Sequence, residues 1–270
     1  MIPDTTFPMK SDTQRMESVV ARPDAAALVH DQVLALLVPE KPSLVLDVPA
    51  GEGAFAARAR ASGIEVQCGD LDVSRFTVKG VKCGQVDLNK RWPYASEMFD
   101  CVVSIEAIEH LENPWHLVRE ANRVLKTGGK FLITTPNVLS IKSRLSYLLY
   151  GYPNYFHYMI EQHLSPRRES PIDHINPVSF LELRHILCRN GFQVETIATN
   201  RYVKRHSILY QLLKLVLRSR GRSHVRYDQA KASVRQALLS PALLFGEILI
   251  VKAGKISDVS TGDAAKALPA

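Results

Sequence analysis

The run Leu44-Val45-Leu46-Asp47-Val48-Pro49-Ala50-Gly51-Glu52-Gly53-Ala54-Phe55-Ala56 constrains this chain more than any other. Leu44 to Leu46 is apolar and follows the turn signal Pro42-Ser43, as a short buried strand requires. Gly51 and Gly53 let the backbone turn sharply and put no Cβ between chain and ligand. Ala54 to Ala61 is rich in Ala and Arg, good helix formers. A strand, a glycine turn and a helix N-terminus in this order make a ligand cradle at the carboxyl edge of a parallel sheet.

The rest of the chain supplies that sheet. A helix is expected over Arg22 to Val38, ended by Pro39. Strands are expected at Ser43–Asp47, Ile64–Asp70, Lys82–Val86, Phe99–Ile105, Lys130–Thr134, Phe192–Ile197 and Glu247–Val251. Helices fall between them: Gly53 to Ser62, Asn113 to about Leu125 with Pro114 at the first position, and Asn176 to Asn190. Alternation of this kind gives an α/β fold with helices on both faces of a mostly parallel sheet. Asp47, Asp70, Asp87 and Glu106 all end predicted strands, so they collect at the edge where such sheets bind ligands.

Two cofactors suit the cradle. Gly51-x-Gly53-x-x-Ala56, with Asp70 further on, matches a loose dinucleotide fingerprint. Asp47 argues the other way. A carboxylate at the strand end suits a ligand that carries an ammonium group and no pyrophosphate, such as S-adenosylmethionine. From Asp47-Val48-Pro49-Ala50-Gly51-Glu52-Gly53 the chain resembles the class I S-adenosylmethionine-dependent methyltransferases, with Pro49 where their first glycine is usual. The resemblance runs on through Asp70, Asp87, Glu106-Ala107-Ile108-Glu109-His110 and Arg123 to Lys130, and becomes thin beyond Asn137.

The resemblance implies a Rossmann-like seven-stranded sheet whose last strand is antiparallel. It implies S-adenosylmethionine as cofactor, held by Asp47, Pro49, Ala50, Gly51, Gly53, Asp70, Leu71, Asp87, Leu88, Ile105 and Glu106. Asp70, or its neighbour Asp72, would take the ribose hydroxyls, and Asp87-Leu88 the adenine amino group. The expected domain spans 41–254, after an N-terminal tail and helix over 1–40 and before a disordered tail over 255–270.

His110 follows the fourth strand on the side where the methyl group should point. A histidine there takes a proton from a substrate hydroxyl, or else positions the loop or the cofactor. His157 and His174 are rival bases, from an irregular aromatic stretch over 138–176 that reads as a substrate lid. Those histidines show no tight metal-ligand spacing, and Cys68, Cys83, Cys101 and Cys188 form no CxxC pair, so no metal is expected.

Charge is concentrated. The net +7 hides ten Lys and Arg between Arg201 and Gln236 against the single acid Asp228. Inside that segment Ile208 to Leu217 is apolar with a narrow polar stripe, Ser207, Gln211, Lys214 and Arg218. Residues 201–245 thus form a basic amphipathic insertion. It suits an anionic membrane surface, or docking on the chain itself or a partner. With no signal-like N-terminus, the expected location is the cytoplasm, with peripheral contact at the inner face of the membrane. The expected reaction is O-methylation of a small molecule, a glycan or a lipid-linked intermediate. Nucleic-acid methylation is the rival that the basic segment allows, although Ser104-Ile105-Glu106-Ala107 lacks the Asn/Asp-Pro-Pro-aromatic run of many base-amine methyltransferases. A non-catalytic cofactor-binding scaffold is the second rival.

Overall fold

The structure is a computed structural model and describes residues 25, 26, 28–156, 174–203, 208, 211, 212, 215, 216 and 229–259. Seven strands form one sheet in the order β3-β2-β1-β4-β5-β7-β6. They are β1 Val45–Asp47, β2 Val66–Asp70, β3 Cys83–Gln85, β4 Phe99–Ser104, β5 Leu125–Pro136, β6 Phe192–Thr199 and β7 Ile248–Lys255. β3, β2, β1, β4 and β5 run parallel, while β7 is antiparallel to both β5 and β6. β6 and β7 are adjacent antiparallel strands, and most of the basic stretch expected as an insertion between them lies outside the described residues.

Alternation along the central strands sorts the core into two layers. Val45, Cys101, Val103, Leu132 and Ile250 face one side, where α1 Val29–Leu37 and α2 Ala54–Ala61 bring Val33, Leu37 and Phe55. Leu46, Val102, Phe131, Ile133 and Val251 face the other, against Leu117, Ala121, Leu183 and Ile186 of α3 Pro114–Val124 and α5 Phe180–Arg189. α3 starts as its sequence predicts, with Pro114 at the first position and the Asn113 side chain accepting from His116 N.

Four local expectations change. The first helix begins only at Val29, because Leu28 is left-handed at φ 67° and the Ala26 N–H is drawn to Glu106. The fifth strand is longer than expected, since its register with β4 jumps between Phe99 and Cys101 and so absorbs the Thr127-Gly128-Gly129 turn. The expected disordered tail is cut back: β7 runs to Lys255, and the Ile256 N–H bonds the Gly191 carbonyl at 2.8 Å. The fourth change is that the stretch from Pro136 is not irregular throughout. It holds α4, Ile141–Tyr150, capped by Ser140 and ended by left-handed Gly151. Two further helices, α6 Gln229–Leu238 and α7 Pro241–Phe245, precede the last strand, and Leu243, Leu244 and Phe245 are buried.

Candidate active site

The cradle is built by backbone bonds. The Ala50 N–H bonds the Gly69 carbonyl at 3.0 Å, tying the turn after β1 to β2. Gly51 and Gly53 both have positive φ, at 53° and 93°, which only glycine adopts without strain. A Cβ on Gly53 would lie 2.5 Å from Val78 and 2.7 Å from Phe76, so this position is closed to any side chain. Asp70 holds the turn from β2: its Oδ2 accepts from Gly51 N at 2.7 Å and its Oδ1 from Asp72 N at 3.0 Å. Each oxygen keeps a second acceptor position for a ligand.

Asp47 ends β1 with a fully buried side chain, and its Oδ2 completes no hydrogen bond within the protein. Burial is the main cause that pushes its carboxyl up to about 8; Asp70 adds to this and the Ala56 amide opposes it. An orphaned buried carboxyl beside a glycine turn fits a cationic ligand, and therefore fits S-adenosylmethionine.

The remaining cofactor-side residues occupy the same edge in different ways. Pro49 follows Val48 through a cis bond. Leu88 and Ile105 are buried, whereas Leu71 is 63% exposed and stands off the surface. Asp87 lies two residues beyond β3, where its carboxylate accepts from Asn89 N at 2.9 Å and pairs with Lys90 at 3.0 Å. Its own turn therefore engages it, and the Asn89 bond is the first cause of its lowered pKa. Asp72 is likewise occupied, by Ser74.

Past β4 the chain makes a strained turn. Glu106 sits at φ 46° and its N–H bonds the Thr134 hydroxyl at 2.9 Å. Its carboxylate, raised in pKa chiefly by burial, accepts from Ala26 N at 2.7 Å and so ties Ala26 to the turn after β4. A 3₁₀ turn, Ile108–His110, follows. Within it Glu109 is wholly buried, and neither of its carboxylate oxygens completes a hydrogen bond. Burial is the main cause that pushes Glu109 up to about 8, although its own amide and the Thr135 hydroxyl lie near enough to ease the charge. Ser104 and Thr135, at the ends of β4 and β5, add two more buried hydroxyls without a completed bond.

The structure brings His110 and His174 together, with ring centroids 4.7 Å apart. The Asn176 N–H bonds the Glu109 carbonyl at 2.9 Å and clamps the returning chain against the 3₁₀ turn. His174 Nδ1 lies 3.0 Å from the Tyr155 carbonyl. A carbonyl only accepts, so Nδ1 carries the proton and a neutral ring keeps its lone pair on Nε2. His157 lies outside the described residues.

Neither Glu109 nor the group around Tyr155 is among the site residues expected from the sequence. Glu109 was visible in Glu106-x-x-Glu109-His110, where two acids and a histidine share one turn. The Tyr155 hydroxyl donates to Glu247 Oε1 at 2.6 Å. Asn200 and Arg201 also donate to Glu247, and the Arg201 bond leads in holding that carboxyl down at about 2. Of these groups, Tyr155 and Glu247 line a cleft together with Ser140, Lys142 and Asn154.

The fold and its glycine cradle define the class I S-adenosylmethionine-dependent methyltransferases. The chain belongs to that family: residues 21–197, more than half of it, match the methyltransferase domain. It is 30% identical over 159 residues to a Mycolicibacterium smegmatis protein named a probable S-adenosylmethionine-dependent methyltransferase, covering 56% of this chain and 52% of that one. It is 25% identical over 122 residues to 27-O-demethylrifamycin SV methyltransferase of Amycolatopsis mediterranei, covering 41% and 44%. The chain thus spans about half the length of these curated relatives. A SAM-dependent methyltransferase from Archaeoglobus fulgidus shares the fold, with TM-score 0.52, 20% identity and coverage of 84% of this chain and 94% of that one.

Proposed function

We propose that this protein methylates an oxygen of a small molecule, a glycan or a lipid-linked intermediate, with S-adenosylmethionine as donor. The observation that carries the reading is the pairing of His110 with His174 at the edge beyond β4, with the His174 tautomer set by the Tyr155 carbonyl. The cofactor, when bound, supplies a methyl group already activated on a sulfonium. What remains for the chain is alignment, exclusion of water and removal of one proton. Asp47, Gly51, Gly53 and Asp70 bind and orient. Glu106 and the Ala26 segment exclude water. The Glu109–His110–His174 cluster manages the acceptor proton. The match to a rifamycin-type O-methyltransferase is consistent with an oxygen acceptor.

A lipid-linked acceptor has its own support. Ile208, Leu212, Leu215 and Val216 are each helical and exposed, the least of them at 47%. The first three are spaced by four and three residues and share one helix face. No helix among the described residues is long and apolar enough to cross a membrane, so contact of this kind would be peripheral.

The reading is tested by incubating the protein with methyl-labelled S-adenosylmethionine and an extract from cells that lack the gene. Label in a base-stable, ether-type product supports it. Label confined to nucleic acid, or no transfer with any fraction, contradicts it.

A further inference from the structure

We propose that Glu109, His110 and His174 bind a divalent transition-metal cation of the Zn²⁺ or Mn²⁺ class. Each of the three offers one ligand atom, and all three atoms lie within 4.8 Å of one another. In a bound zinc site, metal–ligand distances of about 2.0–2.2 Å place ligand atoms roughly 3.3–3.6 Å apart, so closure draws the three atoms inward by at most about 1.5 Å.

Three independent features go beyond proximity. His174 is distant in sequence and is brought to the 3₁₀ turn by the Asn176–Glu109 backbone bond, so the grouping is held by the fold. The His174 Nδ1 bond to the Tyr155 carbonyl is the outer-shell contact that orients metal-binding imidazoles and leaves Nε2 as the donor atom. Glu109 buries both carboxylate oxygens without a completed hydrogen bond, and a buried carboxylate of this kind is kept for a cation.

The donor set selects the metal. Two imidazoles and one carboxylate suit zinc, manganese or iron, whereas magnesium and calcium take oxygen ligands almost throughout. Three protein ligands also leave coordination positions open, as a catalytic site requires. An acceptor hydroxyl bound there would be oriented and made more acidic. That role rests on the oxygen-acceptor reading above; the binding itself does not. It also casts the two histidines as ligands that act on the acceptor through the cation.

The test is calorimetry on the full chain, stripped with a chelator and titrated with Zn²⁺ and separately with Mn²⁺, without any acceptor. The expected result is one saturable site per chain for at least one of the metals. Glu109→Gln and His174→Asn should each weaken it at least about tenfold. S-adenosylhomocysteine affinity should stay unchanged in both variants, which shows that they are folded. If Glu109→Gln does not fold, His174→Asn, on an irregular segment, decides alone. Absence of one-to-one binding with both metals, or binding that His174→Asn leaves unaltered, overturns the proposal. Because no methyl transfer is measured, this result is separable from success or failure of the O-methylation reading.

Discussion

The Gly51 N–H donates to Asp70 Oδ2 at 2.7 Å, so the carboxylate expected to face a ribose also holds the glycine turn in place. Asp70→Ala should therefore act twice. It removes a charge-assisted partner of the cofactor and leaves the Gly51 amide without its acceptor. Loss of S-adenosylhomocysteine affinity by about 1.5–3 kcal/mol is expected, along with a lower melting temperature. Isothermal titration and a thermal melt on the same sample check both. Unchanged affinity would remove Asp70 from the site.

The raised pKa of Asp47 gives a pH signature. Its carboxyl moves from an ordinary 3.8 to about 8 in the folded chain, so between these values the folded state holds a proton that the unfolded state has released. Stability from this group is full below about pH 4 and is lost as pH rises through 8. The cofactor-free protein should lose stability from pH 5 to 8 more steeply than Asp47→Asn, which cannot titrate there. Parallel curves in denaturant melts across that range would contradict the assignment.

Proton removal can be separated from binding. His110→Ala and His174→Ala should each lower turnover by about 10²–10⁴-fold and leave cofactor affinity intact. The effects should not add, since the rings sit 4.7 Å apart and serve one step. Collapse of cofactor affinity in His110→Ala would make that histidine a positioning residue for the cofactor.

The exposed apolar face predicts peripheral membrane binding. Vesicles with anionic lipid should co-sediment the protein more than neutral ones, and salt should weaken the effect. Replacing Leu212 and Leu215 with Glu should abolish sedimentation and spare cofactor binding. Equal sedimentation with neutral and anionic vesicles would refute an electrostatic membrane contact.

The sheet was legible because its apolar runs are short, β-rich and punctuated by turns, and because β–α alternation leaves few topologies. The acids Asp47, Asp70 and Asp87 were legible for the same reason: parallel strands deliver their ends to one edge. Less legible was whatever depends on a partner distant in sequence. β7 extends past Val251 because β5 and β6 pair with it on both sides, and Ala253 and Gly254 carry little strand preference of their own. α4 was hidden at the start of an aromatic- and histidine-rich stretch, although Ser140 and Gly151 mark its ends. Glu109 looks like an ordinary polar neighbour of His110 until the chain returns with His174. Ala26 gives no sign that its amide will reach Glu106.

Calorimetry tests most directly whether the glycine cradle serves S-adenosylmethionine. The protein is titrated with S-adenosylmethionine, with S-adenosylhomocysteine and with NAD under one set of conditions. One-to-one binding of the first two at micromolar affinity, with no response to NAD, is the predicted result. Saturable binding of NAD with no response to S-adenosylmethionine would contradict the account.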